Sequence, residues 1–341
     1  MATISDKHYR LSEQEKDHFM RYGYVCLTNC FSREKAAEWT ADVWTRLGYS
    51  PTDKSTWAAE RTNMPDHKQE SVRTFAPKAW AAICELLGGE DRVAEWAASW
   101  NDAFIVNLGT AESEGKWPHP ADLDGWHVDG DFFIHFLDSP EQALLVIPLF
   151  TDIQEHAGGT MVCPDAIKKI AKHLYDHPEG VSPYMVPRGL PDPRDREFYD
   201  DVVKSCHEFY EMTGNVGDVI LLHPLMVHSA SVNSLRIPRI ITNPPVALKE
   251  PFNFNRDDPS QYSLVEQKTL QDLGKDRLQD WKIQGERAPV IPERLKIQEK
   301  MKEQELERLK ASSSAPVSAS PVPVDTKPGR KARRHDRCGL M

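Results

Sequence analysis

The sequence predicts a mainly β fold with flanking helices, a sandwich or barrel of short strands. Three observations carry that expectation. From residue 103 onward, short apolar runs recur between Gly, Pro and Asp, which is the punctuation of strands. Before residue 103, and again near 165 and beyond 263, apolar residues return at helical spacing. The 341 residues are 40% apolar and 9% aromatic, enough to bury one large core or two modest ones.

The elements follow in order. Ser12 offers a helix cap, with Phe19 and Tyr22 at helical spacing behind it. Residues 23–27 read as a short strand. Residues 32–47 read as a helix capped by Ser32, with Ala36, Trp39, Val43 and Leu47 on one face. Residues 78–100 also read as helical. Residues 104–108 form a strand ending at Gly109, and a polar loop follows through Gly125. Strand-like runs then occupy 126–137, 143–150, 160–163, 218–222 and 239–242. Between them, 165–175 is a helix with Ile167, Ile170 and Leu174 on one stripe. The Pro- and Gly-rich stretch 178–198 is a long loop, and such loops inside compact domains tend to be functional.

Residues 263–281 and 292–310 read as helices, the second with alternating Glu and Lys or Arg, the pattern of a solvated face. From 312 the composition turns to Ser, Ala, Pro and Val without period, which reads as disorder. The expected organisation is a main domain over 1–255, a C-terminal helical extension over 256–310 and a disordered basic tail over 311–341.

Net charge is −10, which argues against general nucleic-acid binding, since that needs a basic face to neutralise phosphates. The six cysteines form no C-x-x-C pair and read as free thiols in a reducing compartment. The N-terminus lacks the apolar stretch of a secretory signal, and no apolar run is long enough to span a bilayer. The expectation is a soluble intracellular protein. Membrane association would come only through prenylation of Cys338 in the final Cys-Gly-Leu-Met, which fits C-a-a-X with basic residues upstream.

The chemistry concentrates at His127-Val128-Asp129. Residues i and i+2 of a strand face the same way, so His127 and Asp129 can reach one metal. With 13 His and 52 acidic residues, about two H-x-[DE] triplets arise by chance, so the motif alone is weak. The other triplet, His177-Pro178-Glu179, has Pro in its middle and sits in a loop. Two imidazoles and one carboxylate on one face of an octahedron suit Fe(II) and leave positions open for other ligands. The third ligand should lie on a later strand, where His223 and His228 both qualify. A buried Arg suits a small carboxylate, because its fork binds bidentately. Arg239 opens the apolar run 239–242, and Arg236, in the turn before Pro238, competes with it.

Four segments in order resemble the phytanoyl-CoA dioxygenase-like family of Fe(II)/2-oxoglutarate oxygenases: LSEQEKDHFMRYGYVCL, GWHVDGDFF, AGGTMVCP and GDVILLHPLMVHSASVNSLRIPR. The resemblance runs from about residue 11 to 250. It implies a double-stranded β-helix, the cupin-like jelly roll, with helices outside. It also implies Fe(II) held by His127, Asp129 and His228, with 2-oxoglutarate and O2 as co-substrates. In the family the second His of H-P-L-x-x-H binds iron, and the Arg eleven residues later binds 2-oxoglutarate. Those positions here are His228 and Arg239. The chain departs from the family pattern at Val128, at Ala230 where a Ser often meets the co-substrate, and at Pro164-Asp165. Thr160 and Ser231 are the remaining candidates for co-substrate contact.

The implied activity is oxidation of a small organic molecule, with hydroxylation as the default and desaturation, epoxidation or ring closure open. Family members often act in secondary metabolism. Candidate substrate-binding residues are Trp126, Asp131, Phe133 and Asn107, with 178–198 as a lid. Core packing is the competing reading for Trp126 and Phe133. Asp131 lies two residues past Asp129, and an inward carboxylate there would suit a polar or cationic substrate. Two alternatives stand beside the oxygenase. One is a non-catalytic β-helix that binds a ligand. The other is an O2-independent cupin-type isomerase or hydrolase that adds His223 to the ligand set.

Overall fold

The computed structural model of the chain describes residues 8–314. Helix α1 (Glu13–Tyr22) starts on a capping box, in which Ser12 and Glu15 satisfy each other's backbone N–H groups. It ends at Gly23, whose φ of 73° turns the chain into β1 (Tyr24–Leu27). A Cβ at residue 23 would come within 2.3 Å of Ile167 Cδ1, so only glycine fits this turn. The helix expected over 32–47 is two, α2 (Arg33–Thr40) and α3 (Val43–Leu47). Thr40 Oγ1 donates to Ala36 O at 2.9 Å, a bond that competes with the helical ladder at the break.

Strands β2 (Arg61–Asn63) and β3 (Gln69–Ser71) precede α4 (Val72–Phe75) and α5 (Pro77–Leu87). The helix expected to run to 100 stops at 87 because Gly88 and Gly89 take φ of 86° and 144°. Next come β4 (Ser99–Asn101), β5 (Ile105–Asn107), β6 (Leu144–Pro148) and β7 (Thr160–Cys163). Helix α6 (Ile167–Asp176) buries Ile167, Ile170, Ala171 and Leu174, the stripe its spacing predicts. Burying each of Ile167, Ile170 and Leu174 contributes ~1.5–3 kcal/mol. The chain continues through α7 (Glu197–Lys204), β8 (Tyr210–Met212), β9 (Val219–Leu222), β10 (Val227–Ala230), β11 (Arg239–Ile241) and β12 (Pro245–Val246). Helices α8 (Leu264–Leu273) and α9 (Arg294–Ser314) close it.

All the strand pairs are antiparallel. One sheet runs β1-β9-β6-β12, a second β10-β7-β8, a third β11-β5-β2, and β3 pairs with β4. The central strands β6, β7 and β9 are buried throughout, as is the edge strand β11, so they read as largely apolar runs. The architecture is mainly β with helices outside, as predicted.

The stretch 126–137 differs from expectation. It makes isolated bridges, His127 to His228, Phe133 to Pro289 and His135 to Val181, in place of a continuous strand. Gly125 and Gly130, with φ of 79° and 118°, turn its backbone out of the ladder.

The region expected as a C-terminal extension shares the core. Val265, Leu270 and Leu278 belong to the same buried cluster as the sheets. Helix α9 has the solvated charge pattern expected, with one exception: Glu305 is 1% exposed and accepts from Arg46 Nε on α3 at 2.9 Å. The helix reaches Ser314, beyond the onset of disorder read at 312. The tail from 315, with Cys338 and the basic cluster, lies outside the described residues. Among the described residues no helix is long and apolar enough to cross a membrane.

Candidate metal centre

β10 lies antiparallel to β7, with His228 opposite Val162. On its other side His228 exchanges two backbone bonds with His127, at 3.0 and 2.9 Å. This pairing brings the two imidazole centroids to 4.3 Å. Asp129 Oδ1 lies 3.3 Å from His127 Nε2 and 3.6 Å from His228 Nε2. The three ligand atoms all lie within 4.8 Å of one another.

Local bonds orient both rings. His127 Nδ1 donates to Gly125 O at 2.8 Å, and His228 Nδ1 donates to Met226 O at 3.0 Å. A carbonyl only accepts, so each Nδ1 carries the hydrogen and each Nε2 keeps a lone pair directed at the cluster. Asn243 Nδ2 donates to Asp129 Oδ2 at 3.3 Å. Burial pushes Asp129 up, but the facing His127 and His228 outweigh it and hold the carboxyl well below the usual carboxylate range. Burial and the neighbouring His228 push His127 down. An ionised carboxylate beside a neutral imidazole is a donor set made for a divalent cation.

His223, five residues earlier, has no nitrogen to offer. Its Nε2 meets Thr269 Oγ1 of α8 at 2.9 Å, and its Nδ1 accepts from Leu225 N at 3.2 Å. Burial, helped by Lys268, pushes its pKa down to about 3, so it is a neutral core histidine. A four-ligand site that includes it is not formed. His177 pairs with Glu179 at 2.9 Å in a separate loop.

Arg239 on β11 faces Asn107 on β5 and is 2% exposed. Its Nε donates to Gly158 O at 2.7 Å, and its Nη1 has no partner. Burial pushes the guanidinium pKa down and Arg61 adds to it, against Glu211. Gly158 has φ of 78°, and a Cβ there would come within 2.6 Å of Asn107 Nδ2. Glycine therefore lets this turn close onto the guanidinium. The strand bearing His228 leads to Ser231, whose N donates to Gly159 O. Backbone bonds thus link the histidine strand to the Arg239 cradle. The competitor Arg236 lies beside exposed Glu114 at 3.8 Å.

The other candidates separate. Ser231 Oγ donates to Glu211 Oε1 at 2.6 Å, and the same carboxylate takes Gly159 N and His156 N. Ser231 therefore braces the turn that holds Arg239. Asn107 is likewise engaged, donating to Ser231 O and accepting from Gly109 N. Thr160 is buried on β7 opposite Ala230. Trp126 is fully buried, 5.8 Å from the Phe209 ring, and packs in the core. Phe133 stacks on His135 at 4.3 Å and lines a water-sized cavity of about 20 Å³ with Asp129, Phe136, Leu225 and Phe252.

Asp131 does not point inward. It is half-exposed and forks onto Arg294, at 2.5 Å from Nε and 2.8 Å from Nη2. The i+2 rule presumes extended backbone, and Gly130 at φ 118° breaks it.

Sequence reasoning missed several residues around the site. Arg294 opens α9, and the segment before it runs along the metal loop: Ile134 N donates to Ala288 O, Val290 N to Phe132 O, and Arg287 pairs with Asp138 at 2.7 Å. Of the 178–198 loop expected as a lid, the start is stitched to the same metal loop, where His135 and Val181 exchange backbone bonds. Asn243 and Glu211 were missed because their roles arise from contacts across the fold. For Asn243 the signal available was its place four residues past Arg239.

The family model described as phytanoyl-CoA dioxygenase matches residues 19–240. No curated protein sequence matches the chain. Among solved structures, similar ones include the non-haem α-ketoglutarate-dependent carbocyclase SnoK from nogalamycin biosynthesis, at 17% identity over 70% of this chain and 84% of that one, TM-score 0.40. The epimerase SnoN from the same biosynthesis is 17% identical over 69% and 82%, TM-score 0.36. EctD from S. alaskensis, solved with 2-oxoglutarate and 5-hydroxyectoine, is 18% identical over 73% and 77%, TM-score 0.36.

Proposed function

The chain belongs to the phytanoyl-CoA dioxygenase family, and from that premise we propose an Fe(II)- and 2-oxoglutarate-dependent oxygenase acting on a small organic molecule. The family has a jelly-roll core and uses Fe(II), 2-oxoglutarate and O2. His127, Asp129 and His228 would hold the iron, and Arg239 the distal carboxylate of 2-oxoglutarate. The observation that carries this reading is the buried Arg239 guanidinium with an unpartnered Nη1, joined through Gly158 and Gly159 to the strand of His228. A buried cation without a counter-charge is costly, and a dicarboxylate supplies the missing partner.

When bound, iron and 2-oxoglutarate supply O2 activation, giving succinate, CO2 and an oxidised substrate. The chain's residues do the rest. Gly125 O and Met226 O fix the imidazole tautomers, and Asn243 holds the outer oxygen of Asp129. The segment before α9, laid along 132–138, limits access of water to the metal loop. Phe133, Phe136, Leu225 and Phe252 form an apolar wall on one side of Asp129. Asp131 and Arg294 present both charges at the surface near that loop. Hydroxylation is the default outcome.

Screening amino acids, acyl thioesters and aromatic natural products for substrate-dependent succinate formation tests this reading. One class should raise succinate release and itself gain oxygen or lose hydrogen. Iron binding without succinate from any class would favour a non-catalytic ligand-binding protein, and turnover under anaerobic conditions would exclude an oxygenase.

A further inference from the structure

Away from the metal cluster, Cys163, Asp165 and Cys206 bring two thiols and a carboxylate oxygen within 4.8 Å of one another. The residues come from different elements. Cys163 ends β7, opposite Val227 and next to the Val162 that faces His228. Asp165 follows in the turn before α6. Cys206 lies past the end of α7, on backbone that carries no sheet ladder. Neither thiol is open to bulk solvent: Cys163 is 0% and Cys206 4% exposed. Exposed Ser205 and His207 flank Cys206, so it is the sulfur nearer the surface.

We propose that Cys163 and Cys206 are a redox-active dithiol that closes to a disulfide, stapling β7 to the connection between α7 and β8. The two sulfurs differ as such a pair requires. Lys169 Nζ donates to Ser205 O at 2.8 Å and to Ser205 Oγ, which places an ammonium beside Cys206. The contact between the two sulfurs, with Lys169 assisting against burial, pushes Cys206 down, and the same contact with burial pushes Cys163 up. Cys206, flanked by exposed residues and next to the Ser205 that Lys169 engages, is the attacking sulfur, and Cys163 the resolving one.

With a peroxide as oxidant the chemistry balances. Cys206 Sγ attacks one peroxide oxygen, the O–O bond breaks, and the leaving hydroxide is protonated to water, giving a sulfenic acid. Cys163 Sγ then attacks the Cys206 sulfur. The S–S bond forms, the S–O bond breaks, and a second water leaves. The Cys163 proton passes to Asp165 Oδ1, 3.3 Å away, and on to the departing oxygen. The peroxide gains two electrons and the two thiols lose them.

A metal fits this cluster less well. Zinc sites of this kind want four ligands, and the cluster offers three. Asp165 is already engaged, Oδ1 by Cys163 and Oδ2 by His207 N at 2.8 Å. The Lys169 ammonium opposes a cation beside Cys206.

The test treats the full chain with hydrogen peroxide and maps it by mass spectrometry without reduction. The expected product loses two hydrogens in a peptide pair joining 163 to 206, and dithiothreitol reverses it. It forms before Cys26 reacts, because desolvation of its sulfur and the nearby Asp218 hold that thiol up at about 11. Cys163→Ser should stop at a sulfenic acid on residue 206, trapped by dimedone, and Cys206→Ser should leave residue 163 unoxidised. Oxygen added to Cys206 in the wild type with no 163–206 link would overturn the proposal. So would alkylation of both thiols only after a chelator strips a stoichiometric metal from them.

Discussion

Two buried arginines, Arg46 and Arg239, show how a structural cation differs from one that awaits a ligand. Arg46 is 0% exposed, and every nitrogen is used: Nε on Glu305, Nη1 on Asp102, Nη2 on Pro65 O. Glu305 also meets His67 Nε2 at 2.8 Å. The chain thus supplies both counter-charges itself, one from α9. Arg239 is 2% exposed and receives one carbonyl, with Nη1 unpartnered. Desolvation is similar and compensation is not. The shortfall at Arg239 is what an incoming carboxylate would supply.

The comparison breaks most visibly on Arg46→Met. That change leaves Asp102 and Glu305 buried without their cation, and should cost about 3–5 kcal/mol in denaturant unfolding. Arg239→Met removes a cation that has no built-in partner, so its melting temperature should hold or rise. Its KM for 2-oxoglutarate should increase about 10²–10³-fold in succinate assays, from loss of about 3–4 kcal/mol of charge pairing. If Arg239→Met unfolded the protein as Arg46→Met does, the distinction would fail.

A parallel contrast separates His223 from His228, five residues apart, one satisfied by Thr269 and Leu225 N and the other with Nε2 turned to Asp129. His223 stays neutral in the fold with a pKa near 3, below the ordinary His value. The unfolded chain binds the proton first as pH falls, so its stability contribution is whole above pH 6.5 and drains towards pH 3. About 2 kcal/mol should be lost by pH 5, and His223→Gln should remove that increment while leaving iron content unchanged. The smallest effect expected is at Asn243→Ala, a weakening of Fe(II) binding by about tenfold through loosened Asp129.

Much of the fold was legible because periodicity reports burial directly. The stripe of α6 and the apolar runs of β6, β7 and β9 are examples. Boundaries failed where glycine intervened, at Gly88 and Gly130. At the site, His127, Asp129, His228 and Arg239 stand in two short segments whose spacing survives in the chain order. Asp131 was misread because Gly130 reverses the alternation the reading assumed, and Ser231 because Glu211, its partner, sits twenty residues earlier. Arg294 and the segment before α9 carry no periodic signal, since their contacts are backbone bonds to the metal loop. Glu305 was hidden in a charge-rich helix where only the fold reveals which carboxylate turns inward.

Anaerobic titration of Fe(II) and then 2-oxoglutarate, followed calorimetrically in the wild type and Arg239→Met, tests the central claim most directly. One Fe(II) should bind each chain in both proteins, and 2-oxoglutarate should then bind stoichiometrically to the wild type and about a hundredfold or more weaker to the variant. Equal 2-oxoglutarate affinity in the two proteins, or no Fe(II) uptake by either, would contradict it.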